Sequence, residues 1–127
     1  MGLDQYAYFV NPENVDRDGV EISINTDKHT DGGNYYWRKF NALQGWMEKL
    51  YNSKGGVKEF NCVDVELTKK DLAQLKKDMK KGLTPTTGFF FGAQEVSEYD
   101  LEVLQRFIVD ATLALEDGKV VVYSSWW

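Results

Sequence analysis

The chain has 127 residues, enough for one domain with one core, and is 43% hydrophobic and 14% aromatic. A net charge of −5 argues against general nucleic-acid binding. The single cysteine, Cys62, excludes an internal disulfide framework. With no basic N-terminal stretch leading into an apolar run, and no run of about 18 apolar residues, the expectation is a soluble cytoplasmic chain without a membrane span.

The charge is unevenly placed. Residues 1–34 carry seven acids against Arg17 and Lys28, residues 35–83 carry eleven bases against six acids, and residues 84–127 carry seven acids against Arg106 and Lys119. A basic middle therefore lies between acidic ends.

In chain order, residues 3–10 are short, aromatic and β-favouring, and Val20, Ile22 and Ile24 alternate with polar residues as a half-buried strand requires. Between them, residues 11–19 read as a turn-rich loop. Asp16 and Asp18 there, with Glu21 just beyond, are spaced somewhat like a calcium loop, but the glycine and the distal glutamate are misplaced. Residues 25–34 read as an exposed loop. The only histidine, His29, lies in it between Asp27 and Asp31, a set too sparse to assign a metal.

Residues 35–51 show the clearest helical periodicity. Tyr36, Phe40, Leu43, Met47 and Leu50 fall on one stripe as core, and Trp37, Asn41, Gln44 and Glu48 run along its flank. Polar groups on such a flank either meet a ligand or tie the helix to a loop. Residues 60–67 follow as a strand with Val63, Val65 and Leu67 on one face. Thr68 then opens a helix, with Asp71 completing a capping box, Leu72, Leu75 and Met79 as its buried stripe and Gly82 as its stop. Its six lysines between residues 69 and 81 read as a solvated face.

Residues 84–92, TPTTGFFFG, place three phenylalanines between glycines, so they cannot all face one side of a strand. Thr86, Thr87 and Gly88 form either an anion cradle of N–H groups or a turn bonded to itself. Ser97 begins a last helix with Leu101, Leu104, Ile108, Ala111 and Leu115 inward. Thr112 on that stripe must bond back to the preceding turn or reach a polar pocket. Residues 119–127 make a terminal strand, and Trp126 and Trp127 are expected to cap the core or fill a groove.

Four stretches, GLDQYAY at residues 2–8, YWRKFNALQGW at 36–46, TPTTGFFFG at 84–92 and SSW at 124–126, together resemble a family of small uncharacterised bacteriophage and bacterial proteins. Its members are sometimes labelled phosphoglycerate kinase, a two-domain enzyme for which this chain has no room and no Walker-type loop. The resemblance implies a shared fold and a phage or bacterial source rather than an activity. The family commonly carries histidine where this chain has Gln44, and a glutamine cannot exchange a proton near neutral pH.

These observations predict an α+β fold: one domain over residues 1–127, a mainly antiparallel sheet of about four strands, and three helices largely on one face, in the order β-β-α-β-α-α-β with the last strand near the first. The leading function is a non-catalytic binding protein, without a cofactor, for a small anionic or nucleotide-like ligand or for a host protein. Its ligand-binding residues would be Tyr6, Trp37, Arg38, Asn41, Gln44, Thr86, Thr87, Gly88, Thr112 and Ser124. One alternative is a host-protein modulator acting through a surface with no pocket. The other is a small hydrolase or nucleotide-modifying enzyme, for which Asp4 is the weak catalytic candidate. Arg38 and Asn41 share a pocket only if residues 36–39 are not helical, and the aromatic content leaves a homodimer open.

Overall fold

The computed structural model describes residues 3–18, 21–24, 35–82 and 98–126. Six strands, β1 (Asp4–Val10), β2 (Val15–Asp18), β3 (Glu21–Ile24), β4 (Tyr35–Arg38), β5 (Asp64–Leu67) and β6 (Val120–Trp126), form one antiparallel sheet in the order β2-β3-β5-β6-β1-β4. The helices are α1 (Asn41–Ser53), α2 (Lys69–Lys81) and α3 (Glu98–Glu116). The α+β class agrees with the sequence, and the last strand, expected near the first, pairs with it. The strand number does not: six strands replace the expected four.

The two unanticipated strands, β2 and β4, are the two edges of the sheet. An edge strand pairs on one side only and keeps many side chains in water, so its hydrophobic alternation is weak. β4 was further disguised by its spacing. Tyr36 stands four residues before Phe40 and mimics a helical turn, yet residues 35–38 alternate half-buried, exposed, buried, exposed, which is the period of a strand. The chain then bends at Lys39, which takes φ 58°, and α1 starts at Asn41 with no capping side chain to announce it. Tyr36, expected in the core, is consequently 49% exposed, and Lys39 at the bend is exposed as well.

All three helices pack on one face. Ala7 of β1, Trp37 of β4, Val65 and Leu67 of β5, and Val121 and Tyr123 of β6 meet Leu43 and Met47 of α1, Leu72 and Leu75 of α2, and Leu104, Phe107 and Ile108 of α3 in one cluster. Phe107 is an aromatic hub, with ring centroids 5.4 Å from Trp37, 5.5 Å from Tyr35 and 6.1 Å from Phe9. The opposite face has a smaller apolar cluster built from strand residues, Val10, Ile22, Val120 and Val122.

α2 matches its sequence signals closely. Thr68 Oγ1 accepts from the Asp71 N–H at 3.2 Å while Asp71 accepts from the Thr68 N–H at 2.9 Å, and Gly82 ends the helix at φ 99°. α1 is tied to α2 by the Trp46 indole N–H donating to Asp78 at 2.8 Å and by Lys54 to Asp71 at 2.7 Å.

Candidate functional site

A polar network crosses the buried side of the sheet. Gln5, fully buried on β1, accepts from the Phe40 N–H at 2.8 Å and donates to the Phe40 carbonyl at 2.9 Å and to the Tyr123 hydroxyl at 3.0 Å. That hydroxyl donates to Gln44 Oε1 at 2.5 Å, and Gln44 Nε2 reaches the Phe60 carbonyl at 3.5 Å. Burial pushes the Tyr123 phenol well above its ordinary value, so it stays a neutral donor at physiological pH. The chain therefore uses Gln44 to fasten α1 to the central strands.

This corrects the expected flank. Trp37, Asn41 and Gln44 are 2%, 1% and 3% exposed: strand alternation in β4 turns Trp37 to the helix side, and α1 is pressed to the sheet on a wider arc than one stripe, which buries Asn41 and Gln44. Residues 36–38 are indeed non-helical, but they form a strand whose alternation sends Arg38 to the exposed opposite face, away from Asn41. Thr112 bonds back to the Ile108 carbonyl at 2.7 Å, the first of its two expected choices. Thr86, Thr87, Gly88, the phenylalanine run, His29 with its neighbouring aspartates, and Trp127 lie outside the described residues.

The face away from the helices gathers the remaining predicted residues. Cross-strand register places Tyr36, Tyr6, Ser124, Asp64 and Ile22 in one row across β4, β1, β6, β5 and β3. A neighbouring row holds Arg38, Asp4 and Trp126. The Tyr6 ring lies 5.2 Å from Tyr36 and 6.2 Å from Tyr8. Trp126 is 50% exposed, so this tryptophan does not cap the core, the first of its two expected placements.

The polar groups of this face are held in place. The Tyr36 hydroxyl donates to Asp4 at 2.5 Å, and this hydrogen bond, with partial burial, raises the Tyr36 phenol. Asp64 accepts from Ser124 and from the Ile24 backbone, yet burial wins and raises its carboxyl above the ordinary range. Tyr8 is raised by burial, then by Asp64 and Tyr6. Phenols shifted upward keep their protons near neutral pH and act as hydrogen-bond donors, not as bases. Among the described residues the face thus presents exposed Tyr36 and Trp126 beside half-buried Tyr6 and Tyr8, with Asp4, Asp64 and Glu66 against Arg38.

No protein-family model, curated protein or solved structure matches the chain. The site is accordingly argued from its chemistry.

Beside the tyrosine row, a cleft of about 350 Å³ opens where β3 and β5 diverge, lined among others by Asp16, Glu21, Asp64, Lys58 and Cys62. Glu21 accepts from the Tyr51 hydroxyl at 2.7 Å and lies 3.9 Å from the Lys58 ammonium. Asp16 and Glu21 reach this cleft from the helix side of the sheet and Asp64 from the tyrosine side, so three carboxylates meet one ammonium there. Among the described residues no three His, Cys, Asp or Glu side chains are grouped to hold a metal, and no helix is long and apolar enough to cross a membrane.

Sequence reasoning found Asp4, Tyr6, Arg38 and Ser124 of this face but missed Tyr8, Tyr36, Asp64 and Trp126 as its members. The usable signal was the period-2 spacing of Asp4, Tyr6 and Tyr8, which puts all three on one side of a strand.

Proposed function

We propose that the protein is a non-catalytic binding protein that recognises a basic segment of a partner protein on the tyrosine face of its sheet. The observation that carries the reading is the Tyr36–Tyr6–Ser124–Asp64 row, with Trp126 and Asp4 beside it, on the face that none of the three described helices covers. Aromatic faces attract Lys and Arg through their quadrupoles, each contact contributing about 0.5–2 kcal/mol, and fixed carboxylates add charge-assisted hydrogen bonds. Among the described side chains of this face, Asp4, Asp64 and Glu66 outnumber Arg38, which supports a cationic rather than an anionic ligand. The resemblance to bacteriophage proteins makes a host protein in the bacterial cytoplasm the partner expected. Gln44, spent on the core network, leaves the interior without a free proton-transfer group at that position and supports binding over catalysis.

The test is calorimetric titration at low salt with a decapeptide rich in lysine, arginine and apolar residues, and with an acidic decapeptide as control. Wild type is expected to bind the basic peptide, and Tyr36→Ala/Trp126→Ala to lose at least about tenfold in affinity. Equal binding of both peptides, or full binding by the double variant, would refute the assignment.

A further inference from the structure

The other side of the molecule carries a second surface. α2 and α3 lie side by side and antiparallel, with Lys69 3.7 Å from Glu116, and a shallow groove between them is lined by Lys69, Ala73, Lys76, Val109, Thr112 and Leu113. Val109 and Leu113 are 56% and 57% exposed, one helical turn apart, on the outer line of α3. Two exposed aliphatic side chains in a helix that already buries Leu104, Phe107, Ile108 and Ala111 widen its apolar surface beyond what the core uses.

Charge says what fits there. α2 carries six lysines against Asp71 and Asp78, a net of +4, while α3 carries five carboxylates against Arg106, a net of −4. Lys69, Ala73, Lys76 and Lys80 repeat along one line of α2 at spacings of four, three and four residues. Glu102, Arg106, Val109, Leu113 and Glu116 do the same along α3. On this face the α2 line presents Lys69, Lys76 and Lys80, and on the α3 line Glu102 and Glu116 flank Arg106, so lysines of one copy can meet glutamates of another across the apolar seam.

We infer that a second copy of this chain docks on the α2–α3 face, forming a two-fold homodimer. A two-fold axis lying in that face and parallel to the helices places α2 of each copy over α3 of the other, as an isologous interface requires. The lysine strip then meets the Glu102–Glu116 strip twice, and Val109 and Leu113 of both copies close against each other under the lysine stems. Two helices each about 10 Å wide and about 20 Å in shared length offer a contact at the small end of specific interfaces, so the dimer is weak, with dissociation in the micromolar range. Both tyrosine faces remain outward, since they lie on the opposite side of the sheet. The inference does not depend on what those faces bind.

Sedimentation velocity of the full chain from about 1 μM to about 500 μM tests it. Wild type is expected to shift from monomer to dimer across that range, and Leu113→Glu, an exposed position that leaves the fold intact by circular dichroism, to weaken association at least tenfold. A charge exchange makes the test specific. Lys69→Glu/Lys76→Glu and Glu102→Lys/Glu116→Lys should each be monomeric alone and should form a one-to-one heterodimer when mixed. The inference is overturned by a chain that stays monomeric throughout, by a dimer indifferent to Leu113→Glu, or by charge variants that fail to pair. A dimer abolished by Tyr36→Ala instead would assign the contact to the tyrosine face and equally overturn it.

Discussion

Replacing Tyr123 by phenylalanine tests whether the buried network fastens α1 to the sheet. The change removes one oxygen and keeps the ring stacked on Phe60, whose centroid lies 6.3 Å away at 6°. Two hydrogen bonds are lost, one from Gln5 and one to Gln44. Gln5 retains both bonds to Phe40, so its share is about 1 kcal/mol. Gln44 fares worse, because its Oε1 loses the phenol donor in a site 3% exposed, adding an unsatisfied acceptor at about 1–3 kcal/mol. The expected total is about 2–4 kcal/mol, a large fraction of a typical domain's stability, and a fall in melting temperature of roughly 10 °C. Urea denaturation followed by circular dichroism measures it. The double variant Gln44→Met/Tyr123→Phe removes the stranded acceptor with its donor and should cost less than the sum of the single changes by about 1 kcal/mol or more. A Tyr123→Phe cost below about 0.5 kcal/mol, or strict additivity in the cycle, would show that the network bears little of the attachment.

Gly56→Ala should be strongly destabilising, by about 2 kcal/mol or more, because its methyl would run into the ring of Tyr51, which is 1% exposed and held by Glu21 and the Lys58 N–H; thermal melts read this directly. Thr68→Ala should cost about 1 kcal/mol through loss of the α2 cap, measurable by urea denaturation at neutral pH. For the same cap, burial raises the Asp71 carboxyl but the Lys54 and Thr68 hydrogen bonds outweigh it, so its value is lowered and its stabilisation is lost as pH falls through that lowered value. Lys54→Met should make the protein less sensitive to acid in that window. Asp64 has the opposite sign: its raised carboxyl favours folding when protonated and loses that contribution as pH rises through the raised value. Asp64→Asn should therefore gain stability at pH 7 relative to pH 3 in comparison with wild type, and an unchanged pH profile would show that Asp64 is not desolvated.

Chain order and spacing alone determined the α+β class, the α2 helix with both of its ends and the inward stripe of α3. Each rests on local chemistry: a capping box, a glycine stop, or apolar residues repeated at one helical period over several turns. The tertiary structure decided the edges of the sheet and the partition of the aromatic residues between its faces. Tyr36 and Trp37 are neighbours of similar composition, and only the pairing of β4 with β1 sends one outward and the other into the core. Gln44 and Ser124 looked equally suited to a ligand in the sequence. Packing of α1 against Tyr123 buries the first, and the register of β6 with β1 and β5 carries the second to the tyrosine face, because a strand's side chains alternate while its partners are chosen across the chain.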